Sequence, residues 1–249
     1  MSLTFDGSPA ILRPTDTTAP VDGFPETVLV TFQHQAVEAL LRLCPEAEVV
    51  STLGDSFVSP IYRFLWRGET LGLFLSTVGG PAAAAMAEEA WVKGARALLV
   101  FGSCGALVPQ LTAGHLIVPT AAYRDEGTSF HYLPPSDYVE IPTACRLAEC
   151  FDALGLPYVQ GKTWTTDAIY RETENKAAAR REEGCLSVEM ECASLMAAGQ
   201  FRGRSVYQFL YAEDSLAGTV WEGRTWGCTP DGEYERILRI ALETAVRLP

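Results

Sequence analysis

Two carboxylates, Glu189 and Glu191, lie two residues apart around Met190. In extended backbone such a pair shares a side, whereas in a helix it diverges by about 160°. A junction between strand and helix would aim both into one pocket, where carboxylates grip vicinal hydroxyls through charge-assisted hydrogen bonds. An equally good account is that both acids favour a helix N-terminus, at roughly 0.3–1 kcal/mol each. Asp214 follows the apolar run Val206–Ala212 and adjoins Glu213. An acid beside another acid at a pocket mouth has a raised pKa and can act as a general acid, although a turn residue capping the next segment fits the same position. Gly79-Gly80 and Gly102-Ser103-Cys104-Gly105 are runs of small residues. Such runs let backbone N–H groups approach an anion, and they also serve simply to turn the chain.

The seven cysteines form no CxxC pair, and the three histidines lack the spacing of zinc ligands, so no metal site and no organic cofactor is implied. Buried, reduced thiols account for most of the cysteines. The net charge of −12, with only three lysines and Arg180-Arg181 as the one adjacent basic pair, disfavours nucleic acid and anionic membranes as partners. No apolar stretch reaches the roughly 18 residues that span a bilayer. Residues Met1 to Val21 are polar, without the apolar core of a signal peptide, so a reducing cytoplasm is the expected setting. A small molecule or another protein remains as the partner.

The elements that must position these residues alternate. Residues 1–24 read as an irregular, Pro- and Thr-rich arm, and 25–249 as one domain. A strand over Val28–Phe32 precedes a helix over His34–Leu43. Strands Ile61–Trp66 and Leu71–Val78 are joined by a turn at Gly68-Glu69, and Pro81 opens a helix running to Lys93. Strands follow at Ala97–Phe101 and Leu116–Val118. After Ser136 come a helix Thr143–Leu154, a strand Tyr158–Thr163 and a polar helix Thr173–Glu183. A helix from Met190 to Gln200, a strand Ser205–Ala212 and a helix Asp231–Arg247 complete the chain. This alternation predicts an α/β single domain with a central mixed, largely parallel sheet flanked by helices. In such sheets ligands bind beyond the carboxyl ends of the strands, where the acidic and Gly-rich segments fall.

Ser76–Pro81 (STVGGP), Phe101–Val118 (FGSCGALVPQLTAGHLIV) and Ser187–Ala193 (SVEMECA), in this order, resemble the nucleoside phosphorylase family, with Thr165–Tyr170 a looser match. That group includes purine nucleoside and uridine phosphorylases and related nucleosidases, which act at the N-glycosidic bond of a nucleoside. The resemblance implies that Met190 packs on the ribose and that Glu191, beside Glu189, binds its 2′- and 3′-hydroxyls. It implies that Asp214 protonates a purine leaving group. Ser103, with the backbone of Gly79, Gly80 and Gly102, would face the nucleophile, and Cys104 is a further substrate-binding candidate. Ile169 stands where many members carry a base-stacking Phe. His131, Arg63, His34 and Arg224 are further candidates: His131 for a loop near the ligand, Arg63 for an anion contact, His34 as a base for water, Arg224 for the nucleobase.

The departures bear on the acceptor. Phosphorolytic members have a Gly-Asp-Pro motif and a nearby Arg after the first strand, where this chain reads Thr31-Phe32-Gln33-His34-Gln35. A second family Arg is Val100 here, and a usual Asp is His115. Two lost Arg–phosphate contacts, roughly 1.5–3 kcal/mol each, weaken phosphate by about 10²–10⁴-fold. The resemblance therefore implies glycosyl transfer from a purine or uridine-type nucleoside to phosphate, with two alternatives: a hydrolase with Glu38 near His34, or a non-catalytic nucleoside-binding member. It also implies a homo-oligomer, whether dimer, trimer or hexamer.

Overall fold

The computed structural model describes residues 5–54 and 56–248. Ten strands form one sheet: β1 Thr27–Thr31, β2 Glu48–Leu53, β3 Ser59–Trp66, β4 Glu69–Leu75, β5 Ala97–Ala106, β6 Leu116–Asp125, β7 Tyr138–Glu140, β8 Tyr158–Thr166, β9 Cys185–Glu189 and β10 Ser205–Ser215. The helices are α1 Pro14–Thr17, α2 His34–Leu43, α3 Gly80–Lys93, α4 Ala144–Ala153, α5 Glu174–Glu182, α6 Cys192–Arg202 and α7 Asp231–Ala245. Among the described residues no helix is long and apolar enough to cross a membrane.

The sheet divides at β5. The first half of β5 pairs in parallel with β1, which continues through β4 to the antiparallel edge strands β3 and β2. Its far end, Gly105 and Ala106, pairs instead with β9, while β10 runs in parallel along its other side. From β9 the pairing passes to β8 and β6 and returns to β10, so these five strands close on themselves. Mixed pairing follows from this closure: the parallel ladders are β4-β1-β5-β10 and β6-β8-β9, and antiparallel contacts join them.

Local composition explains the layers. Val28, Leu29 and Val30 are buried on both faces of β1, as an inner parallel strand requires. On α2, Ala36, Ala39 and Leu40 recur at helical spacing and face inward, and α2 packs with α7 beside β1. The helix α6 is buried almost throughout, which its small residues Ala193, Ala197, Ala198 and Gly199 permit, and α3 packs along it.

Several boundaries differ from the sequence reading. The Gly-rich segment Gly102–Gly105 continues β5 as strand, because β10 pairs with it along its whole length. The strand β10 likewise runs on through Asp214, which was expected in a loop. The edge strands β2 and β7 carry polar or half-exposed residues and lack the apolar run that marked the others. The arm contains the single helical turn α1, and the Val21 N–H donates to the Lys93 carbonyl at 2.9 Å, tying the arm to the end of α3.

Candidate active site

The junction between β9 and α6 separates the two acids of the SVEMECA segment. Glu189 ends the strand and folds back over the first turn of the helix. Its Oε2 accepts from the N–H groups of Glu191 (2.8 Å) and Cys192 (2.6 Å), and its Oε1 accepts from the Thr165 hydroxyl (2.5 Å). Those N–H groups have no partner within the helix, so Glu189 closes its N-terminus. Burial pushes its carboxyl up to about 7 against the pull of these three bonds. Glu191 accepts one hydrogen bond, from the Gly79 N–H at 2.6 Å. Burial, and then the charge of Glu189, raise its carboxyl to about 8. The two acids therefore differ in place: Glu189 holds the helix N-terminus, and Glu191 projects from it into the cavity wall.

At another wall, β10 carries a β-bulge. Ala212 pairs with Cys104 and Asp214 with Gly105, leaving Glu213 as the extra residue. Successive strand residues ordinarily face opposite ways, but a bulge re-aims them, and Glu213 and Asp214 line the same cavity. The Trp221 indole N–H donates to Asp214 Oδ2 at 2.6 Å. The other oxygen, Oδ1, is buried without a hydrogen-bond partner among the described residues. A Cβ on Gly105 would lie 2.6 Å from Leu216 Cδ1 and 3.0 Å from Val188 Cγ1, so glycine here leaves room for those two side chains. Burial raises the Asp214 pKa; the Trp221 bond opposes that and Glu213 adds to it.

The cavity has a volume of about 380 Å³, within the range of small-molecule sites. Met190, Ser103, Cys104 and Ile169 line it together with Glu189, Glu191 and Asp214. Gln33 and Gln35 form part of the wall, and the Gln33 amide donates to Ser103 Oγ at 3.4 Å. The Cys104 thiol donates to the Tyr211 carbonyl, and burial pushes its pKa well up, which keeps it a neutral wall group. Five carboxylates line the space, from Glu172, Glu189, Glu191, Glu213 and Asp214, and no Arg, Lys or His does so among the described residues.

Other expected residues fall outside this lining. Gly79, at φ +106°, serves through its N–H to Glu191. Gly80 is needed for packing, since a Cβ there would collide with the Ser194 hydroxyl of α6. A Cβ on Gly102 would meet the Phe32 ring at 2.9 Å. His34 points along the exposed side of α2 to Glu38 at 3.2 Å, so neither faces the cavity. Arg63 pairs with Glu48 on the neighbouring strand and donates to the Gly23 carbonyl at 3.0 Å. Arg224 donates to the Leu111 carbonyl at 2.6 Å, bracing the loop after β5 rather than facing a ligand. His131 sits exposed in the 3-10 turn Thr128–His131. That turn is tied down by buried Glu126, which accepts from the Ser129 N–H (2.9 Å) and the Ser194 hydroxyl (2.7 Å).

Three residues that matter in the cavity escaped sequence reasoning: Glu172, Trp226 and the indole donor Trp221. Glu172 follows the 3-10 turn Ile169–Arg171 and has no hydrogen-bond partner among the described residues, and burial with the nearby Asp214 charge pushes it to about 7. The two tryptophans stack edge to face at 6.2 Å. Their presence in an otherwise Gly- and Thr-rich stretch is the one signal the sequence offers.

The model of the phosphorylase superfamily matches residues 27–243. A guanosine phosphorylase from Halorubrum lacusprofundi is 26% identical over 226 residues, 90% of each chain. A uridine phosphorylase from Salmonella typhimurium is 31% identical over 151 residues, 53% of this chain and 60% of that one. In fold, the chain is similar to the crystal structure of uridine phosphorylase from Vibrio fischeri, with a TM-score of 0.77 at 21% identity, covering 98% of this chain and 100% of that one.

Proposed function

Because the chain belongs to the phosphorylase superfamily, we propose that it cleaves the N-glycosidic bond of a purine nucleoside and passes the pentosyl group to phosphate. One observation carries this reading: a single cavity joins Glu191, held by one hydrogen bond, to Asp214, whose buried Oδ1 lacks a partner. In this reading the pentose packs on Met190, and its 2′- and 3′-hydroxyls donate to Glu191. As the C1′–N9 bond stretches, positive charge grows on the pentose and the nearby carboxylate offsets it. The bonding electron pair leaves with the base. Asp214, protonated at Oδ1, donates to purine N7, so the base departs neutral rather than as an anion. A phosphate oxygen then closes on C1′, met by neutral donors, the Ser103 hydroxyl and the Gln33 amide.

Water as the acceptor is a second reading, favoured by the five wall carboxylates and the lack of a wall cation among the described residues. A phosphate dianion enters such a field only with positive charge supplied from elsewhere, as across the interface of a homo-oligomer. Base release from inosine, guanosine, adenosine and uridine, with and without phosphate, separates the two. Phosphate-dependent release with pentose 1-phosphate is expected. Phosphate-independent release with free pentose makes water the acceptor, and uridine exceeding every purine nucleoside overturns the purine assignment. Asp214→Asn should lower purine turnover by about 10²–10⁴-fold. Glu191→Ala should instead weaken binding of every ribose-containing ligand.

A further inference from the structure

Outside the cavity wall lies a buried carboxylate that the reaction does not employ. Glu126 directly follows β6 and is 7% exposed. Its Oε2 accepts from the Ser129 N–H and the Ser194 hydroxyl, and its Oε1 accepts from the Ser129 hydroxyl. Arg124, itself buried, reaches this carboxylate through the same Ser129 hydroxyl, to which its Nε donates at 2.7 Å. A buried charge is costly unless it is hydrogen-bonded, and here the bonded segments converge on the start of α3. Ser194, in the first turn of α6, is fully buried with its hydroxyl against Gly80, and a Cβ on Gly80 would lie 3.0 Å from Ser194 Cβ. Thr128, next to Ser129, brings its Oγ1 to 3.5 Å from the same point. Gly79, at φ +106°, has nothing within 4 Å of where a Cβ would stand, so the Gly79–Gly80 turn is braced from the Gly80 side.

We propose that Glu126 is a positioning residue for the pentose end of the site: through Ser194 it holds the Gly79–Gly80 turn where the Gly79 N–H meets Glu191. The inference rests on the pentose reading of Glu191 above. The start of α6 touches this turn at two points. Glu191, just before the helix, accepts the Gly79 N–H at Oε1, and Ser194 packs on Gly80. Glu126 fixes the second contact and so sets the geometry of the first. A glycine turn is conformationally free unless its neighbours restrain it. With the turn held, Glu191 is oriented before a ligand arrives, and Oε2 is left for the pentose hydroxyls. With the turn released, the ligand itself must order the carboxylate, and affinity falls by that cost.

The test measures, by calorimetry, binding of a purine C-nucleoside, whose carbon–carbon link cannot be cleaved, and of its free base. The proteins compared are wild type, Glu126→Gln, Ser194→Ala and the double variant, each also in a Glu191→Ala background. Ser194→Ala removes one hydroxyl and carries the test by itself if Glu126→Gln does not fold. Either substitution should weaken the C-nucleoside by about 5–10-fold, the worth of one hydrogen bond. Affinity for the free base should stay within about twofold, and the double variant should lose no more than either single one, because both act through one contact. In the Glu191→Ala background neither substitution should weaken the C-nucleoside further. Equal weakening of C-nucleoside and base overturns the proposal, since the clamp then shapes the cavity as a whole. Unchanged C-nucleoside affinity in folded variants overturns it too, as does a loss that persists without Glu191. These three outcomes leave the pentose reading intact. If Glu191→Ala alone does not weaken the C-nucleoside, the pentose reading fails and the proposal with it.

Discussion

The placement of a single proton on Asp214 depends on Trp221. With the indole N–H donating to Oδ2, a proton on the carboxyl is confined to Oδ1, the buried oxygen without a hydrogen-bond partner among the described residues. The same bond favours the ionised form, opposing burial and the charge of Glu213, while Arg224 acts in the direction of Trp221. Trp221→Phe removes the donor and keeps the aromatic bulk. The proton can then sit on either oxygen, and the carboxyl holds it to higher pH. Purine turnover should fall by roughly 10-fold, the worth of one hydrogen bond, and the basic limb of kcat/KM, which requires the protonated acid, should move upward in pH. A fall in turnover with an unmoved profile would mean that Trp221 serves packing alone. Glu189 and Glu191 invite the opposite comparison. Glu189→Gln can keep a carbonyl oxygen on the two backbone N–H groups, but its amide N–H then meets the Thr165 hydroxyl, which loses its acceptor, and the change should cost about 1–3 kcal/mol of stability by urea denaturation. Glu191→Gln should leave stability far less affected and lower affinity for nucleosides. Similar losses of stability in both variants would contradict the division of labour between the two acids.

At the scale of elements, the site is assembled where chain segments meet, and that decides what the sequence could reveal. The apolar, β-branched runs of β1 and the first half of β5, and the helical periodicity of α2 and α7, are local signals, and the expected elements match the observed ones there to within a few residues. The far half of β5 and the end of β10 are strands only because they pair with each other. No local pattern marks Gly102–Ala106 as extended, nor shows that Glu213 is the bulged residue that brings Asp214 into the cavity. Glu172 was invisible for the same reason: nothing in its neighbours' sequence distinguishes a half-buried cavity acid from a solvated one. Gly80 shows how a motif can be read correctly in position and differently in purpose. Its lack of a side chain lets α3 approach α6, so Gly80→Ala must displace the Ser194 hydroxyl, itself bonded to Glu126. Such overpacking costs about 1–3 kcal/mol, and denaturant midpoints should register it. Gly127→Ala, next to Glu126 and ahead of the Thr128–His131 turn but with open space around the new methyl, should stay within about 0.5 kcal/mol of wild type. Equal effects at the two sites would deny the helix-packing role of Gly80.

For the whole molecule, an excess of acid is concentrated in one cavity. The chain carries a net charge of −12, and three carboxyls of the cavity wall are held at raised pKa values, Glu172 and Glu189 at about 7 and Glu191 at about 8. In the unfolded chain the same groups titrate near 4.5. Between these limits the folded protein binds more protons than the unfolded one, so stability must fall as pH rises. The contribution is fully present below about 4.5 and is lost as pH passes through 7 to 8. The ligand-free protein should therefore melt at a higher temperature at pH 5.5 than at pH 8, with each kcal/mol worth about 2–4 °C for a chain of this size. Repulsion among surface charges acts in the same direction, and salt tells the two apart. Exposed charges are screened at 0.5 M salt, whereas buried carboxyls keep most of their cost. A pH dependence that persists in high salt and shrinks in Glu172→Gln locates the effect in the cavity. One that vanishes with salt places it on the surface, and a melting temperature that rises towards pH 8 contradicts the raised wall acids altogether. Should the slope persist, a bound nucleoside ought to flatten it, because donors from the ligand stabilise the ionised form of the wall acids that it meets.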